Sequence, residues 1–147
     1  MRLKFFIPII IIASLSCKDD LVKTGEPQPK IQFVSINPNT AVQFKDSVVI
    51  TVSYEDGDGD LGDFSADSLS ISIRDTRLLK PDYYHLKPLA PLDANVKIKG
   101  KLDVKLKNLF LLGQGKTEQT QFEIKLKDRK QHWSNTVTTS TIVINKD

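Results

Sequence analysis

Apolar residues along most of this chain recur at every second position. Val48, Ile50, Val52 and Tyr54 alternate with Val49, Thr51, Ser53 and Glu55, and Leu69, Ile71 and Ile73 alternate with serines and Arg74. The longest stretch sets Val96, Ile98, Gly100, Leu102, Val104 and Leu106 against Lys97, Lys99, Lys101, Asp103, Lys105 and Lys107. Phe122, Ile124 and Leu126 then alternate with Glu123, Lys125 and Lys127. A period of two buries one face of a strand and wets the other, the pattern of antiparallel sheets. Residues 31–36 read as a first strand and the Thr- and Val-rich residues 137–144 as a last one. No window predicts an amphipathic helix, and residues 109–112 read as a helical turn or a strand end. About seven strands within residues 31–147, with turn signals between them, predict an all-β, antiparallel β-sandwich.

Residues 1–16 break this pattern. Arg2 and Lys4 precede an apolar run, residues 5–15, that is too short to span a bilayer, which needs roughly 20 residues. Small residues follow, as in a secretory signal peptide. Residues 18–30 are charged, contain Pro and Gly and have no apolar period, so residues 17–30 read as a flexible tether ahead of the body.

Composition narrows the chemistry. A chain of 147 residues with 39% hydrophobic content supports one domain. Its one Cys excludes an internal disulfide and any cysteine-based zinc site, and two His 47 positions apart argue against a His-rich centre. A net charge of +3 on a chain with 27% charged residues is too balanced for a dedicated nucleic-acid binder, and no aromatic residues interleave with the lysines of residues 97–107. Those lysines fit a solvated, edge-protecting face or a surface for a polyanion. There is no Gly-x-Ser-x-Gly elbow, phosphate loop or His-Glu-x-x-His, and the reading is non-catalytic.

The residues around the single Cys carry a resemblance. Ala13-Ser14-Leu15-Ser16-Cys17 resembles the bacterial lipobox, which implies acylation of Cys17 and a membrane anchor there. Lys18-Asp19-Asp20 resembles the surface-export signal of Bacteroidota lipoproteins, which implies display at the outer membrane. Residues 122–128, a short turn, Ser134-Asn135 and a Thr/Val strand look like the last hairpin of bacterial immunoglobulin-like domains. Together these features are similar to small Bacteroidota surface lipoproteins with an immunoglobulin-like domain. The resemblance implies a lipid-anchored module that binds or scaffolds toward protein or glycan. A structural subunit of an envelope complex, with no free ligand, is the other reading.

Two groups of residues stand out as candidate sites. Six acidic residues fall within residues 55–67 with no basic residue among them. Alternating Asp and Gly lets such a loop curl so that carboxylates converge on a hard cation, and Ca²⁺ takes six to eight oxygens. Asp56, Asp58 and Asp60 match the first, third and fifth positions of an EF-hand and Asp67 the twelfth. Leu61, however, stands where that loop needs Gly, and no helices flank it. The segment looks more like the Asp-Gly-Asp turn after the second strand of cadherin-like sandwiches. Asp56, Asp58, Asp60 and Asp63 are the expected ligands, and a tight turn capped by its own Asp side chains is the alternative. Tyr83, Tyr84 and Trp133 are the second group, a stacking surface for sugar or, alternatively, packing beneath a loop.

Overall fold

The structure, a computed structural model, describes residues 25–147. The signal peptide, Cys17 and the Lys18-Asp19-Asp20 cluster lie outside the described residues. Within them, ten strands and no helix form three sheets in an open, sandwich-like arrangement.

The first sheet places β3 (Val48–Asp56) between β1 (Lys30–Asn37) and β6 (Ile98–Leu106), antiparallel throughout. Val48, Ile50 and Val52 point inward and are fully buried. The lysines of β6 project into solvent, and because β6 is an edge strand they guard its unpaired side. The second sheet runs β5 (Asp82–His85), β4 (Leu69–Asp75), β8 (Phe122–Leu126) and β9 (Val137–Thr138). Ile71, Ile73, Ile124 and Leu126 face the same core. The third sheet sets β10 (Ile142–Asn145) antiparallel to β7 (Thr117–Thr120) and parallel to β2 (Thr40–Val42).

The expected last strand divides in two. Val137 and Thr138 pair with β8, whereas Ile142–Asn145 crosses to the third sheet. Thr139 makes the break: its hydroxyl accepts from the Phe122 amide at 3.0 Å and donates to Ser140 O, so a side chain replaces a ladder rung. Residues 109–112 form neither a helical turn nor a strand.

Ser134 and Asn135 close the hairpin after β8. The Ser134 hydroxyl accepts from the Leu126 amide, and the Asn135 carboxamide grips both backbone groups of Ile31 at 2.9 Å. One amide thus ties the first strand to the last hairpin.

The body begins before the expected boundary. Lys30 already belongs to β1, Pro29 is fully buried, and Gln28 donates from its carboxamide to Trp133 O at 2.7 Å. Pro29 and Gln28 thus contact the domain, while Glu26 and Pro27 are exposed. Gly25 and Glu26 press on Gly57 so closely that a Cβ there would meet Glu26 O at 2.3 Å.

Candidate acidic site at the end of the second long strand

The alternation that sends Val48, Ile50 and Val52 inward carries on to Asp56, the last residue of β3, which is 1% exposed. The chain then turns sharply. Gly59 has φ +73°, and a Cβ on it would stand 2.3 Å from Val96 O, so only glycine fits. The turn brings Asp58 and Asp60 back beside Asp56, each 6% exposed. One carboxylate oxygen from each of the three lies within 4.8 Å of the other two.

Leu61, fully buried, pins the loop into the core. Its amide donates to Asp56 Oδ2 at 3.1 Å, and its carbonyl accepts from Leu89. On the other side Arg129 N donates to Asp60 O at 3.1 Å, and the Arg129 guanidinium to Gly62 O at 3.0 Å. The loop is thus laced between residues 86–89 and the hairpin that follows β8.

The three carboxylates are left incompletely satisfied. Oδ1 of Asp56, Asp58 and Asp60 is buried in each case without a hydrogen-bond partner. A buried unpaired carboxylate oxygen is costly, and three adjacent ones also repel each other. Burial and the charges of Asp58 and Asp60 push the Asp56 carboxyl up to about 6. Asp60 is raised as well, by burial and by the charges of Asp128 and Asp58. For Asp58 burial works in the same direction, but the Lys130 ammonium at 2.5 Å prevails and holds its carboxyl below the ordinary range. Such a cluster can hold a metal ion.

The other expected residues fall elsewhere. Asp63 stays outside the triad, its carboxylate accepting from the Ser65 amide at 3.0 Å in a local turn. Asp67 is exposed and likewise apart. Of the three aromatic residues, Tyr83 and Tyr84 are both exposed. Tyr83 and Trp133 meet with ring centroids 6.3 Å apart, and Lys125 and Lys127 sit 5.2 and 5.4 Å from the Trp133 ring. Tyr84, opposite buried Ile71 on β4, and Tyr83 both line a cleft of about 410 Å³ with Leu106, Phe110 and Phe122.

Comparison with protein-family models, with curated proteins and with solved structures finds no match. The site therefore has to be read from its own chemistry.

That chemistry also includes Lys130, Asp128 and His132, which the sequence did not connect with the acidic loop. Lys130 is the counter-ion just described. Asp128, 1% exposed, accepts from the His132 amide at 2.7 Å and faces His132 Nδ1 at 2.9 Å, fixing the hairpin that carries Lys130. The available signal was a turn at residues 128–133 with no glycine, whose tightness then has to come from side chains. Gln131 there takes φ +72°.

Proposed function

We propose that this chain is a lipid-anchored, non-catalytic binding or scaffolding module, an immunoglobulin-like sandwich displayed at the bacterial outer membrane through Cys17. In this reading the Asp56–Asp58–Asp60 cluster takes up Ca²⁺ and stiffens the body. The observation that carries the metal part is the set of three buried, unpartnered carboxylate oxygens converging at the end of β3. An all-oxygen, triply anionic set suits a hard cation, and neither His nor Cys belongs to it. Ca²⁺ is favoured over Mg²⁺ because three carboxylates on one loop supply irregular geometry, which the larger ion tolerates. Extracellular modules work with dissociation constants on the order of 10⁻⁴–10⁻³ M, and an affinity of that order suffices at a cell surface.

The Tyr83–Trp133 pair, flanked by Lys125 and Lys127, supports the binding part, with protein or glycan as partner. Thermal unfolding of the full chain in detergent, in EDTA and in millimolar Ca²⁺, tests the metal. The expected result is a higher midpoint with Ca²⁺ that disappears in an Asp58→Ala/Asp60→Ala variant. An unshifted midpoint in the wild-type protein refutes it. Anchoring is tested by fractionation: Cys17→Ser protein that remains with the membranes contradicts acylation at that residue.

A further inference from the structure

Lys130 lies at the mouth of the acidic cluster. We propose that its ammonium is a tethered counter-ion of the metal-free site, which an entering divalent cation has to displace. The inference rests on the cation-binding reading above and says how that binding is regulated.

The geometry separates an outer from an inner side. Lys130 Nζ lies 2.5 Å from Asp58 Oδ2 and 3.9 Å from Asp60 Oδ2, while Oδ1 of all three aspartates is buried and unpaired. The Lys130 side chain is 59% exposed against 7% and 8% for its partners, so it reaches the carboxylates from solvent. An ammonium is a compact point charge on a flexible four-carbon stem with three donors. Here it neutralises the rim and leaves the interior oxygens unsatisfied. A divalent cation takes six to eight oxygens and reaches the inner ones as well.

The two cations exclude each other. A divalent ion among these carboxylates stands a few ångströms from Nζ, and repulsion between like charges at that distance is large in a partly buried site. The exposed stem lets the ammonium swing into water. The hairpin itself need not move, because Arg129 holds it to Asp60 O and Gly62 O independently of Lys130. Among the described residues, Lys130 is thus the one cation bonded to the cluster that can leave without unfolding its support.

The test is calorimetric titration of the full chain in detergent with CaCl₂, comparing wild type, Lys130→Gln and, as a control on β6 away from the cluster, Lys105→Gln. Removing the competitor is expected to tighten Ca²⁺ binding by about 3–10-fold in Lys130→Gln, since a mostly exposed ion pair is weak. Lys105→Gln is expected to match wild type. Amine labelling followed by mass spectrometry gives an independent readout: acetylation of Lys130 rises when Ca²⁺ is added. Unchanged or weakened Ca²⁺ affinity in Lys130→Gln, with wild type binding normally, overturns the counter-ion role and leaves the metal site standing. Absence of binding in both proteins overturns the metal reading and this inference with it. Binding detectable only in Lys130→Gln supports both.

Discussion

Replacing Asp56 with Asn removes a charge that the metal-free fold holds unfavourably. The Asp56 carboxyl titrates at about 6 in the folded protein against an ordinary 3.8, and at 1.36 kcal/mol per unit this displacement amounts to about 3 kcal/mol. The folded carboxyl keeps its proton to higher pH than the unfolded one. Its contribution therefore favours folding below about pH 4 and is lost as pH rises through about 6. Asparagine has the same shape, stays neutral and still offers an oxygen to the Leu61 amide that now donates to Asp56. Asp56→Asn is therefore expected to stabilise the protein at pH 7 in EDTA by about 1–3 kcal/mol, a rise in midpoint on the order of 5–10 °C. At pH 4 the gain shrinks toward zero, because the wild-type group is already protonated. Millimolar Ca²⁺ reverses the order, raising the wild type and leaving the variant unmoved. Circular dichroism melts at the two pH values check this. A less stable Asp56→Asn protein at pH 7 in EDTA, or an equal gain at pH 4, refutes the reasoning.

Other expectations concern the framework. Leu61→Ala empties a fully buried position beneath the acidic loop and is expected to cost about 2–5 kcal/mol in urea unfolding, with Ca²⁺ affinity falling as the loop loosens. Gly59→Ala forces a side chain into a positive-φ turn against Val96 O, and a melt should show a loss of at least about 1 kcal/mol. Arg77 bonds Asp75, Glu118 and the carbonyl of Phe110, so Arg77→Met takes the cation from two carboxylates that keep only Thr120 and backbone donors, and it is expected to cost about 1–3 kcal/mol by chemical denaturation. An Arg77→Met protein as stable as wild type would show that this network contributes nothing net.

Strands with clean alternation were legible in the sequence because one face of each meets a single core. β1, β3, β4, β6 and β8 lie close to where the period placed them. β2, β5 and β7 carried no such signal. Thr117–Thr120 is wholly polar, and Thr40–Val42 spans three residues, too few to display a period. Asp82–His85 sits among prolines that suggested a loop, although paired tyrosines favour a strand. In the acidic segment, the period itself pointed Asp56 inward, while Asp63 fell out because its carboxylate caps a turn of its own. Lys130 was hidden by composition. Read along the chain it is one more lysine after β8, yet folding separates that run. Lys125 and Lys127 go to the Trp133 ring, and Lys130 goes to the aspartates.

The parallel pairing of β2 with β10 has a consequence in time. β10 is the central strand of its sheet and supplies Ile142 and Ile144 to the core, yet its partner β2 lies far from it along the chain. Until it arrives, β2 and β7 have no partner, and the pairing of Thr40 with Val143 has to close a loop of about a hundred residues. Hairpins such as β4–β5 close over short loops, so the third sheet is expected to form last in refolding, and Ile142 and Ile144 dock into the core in that step.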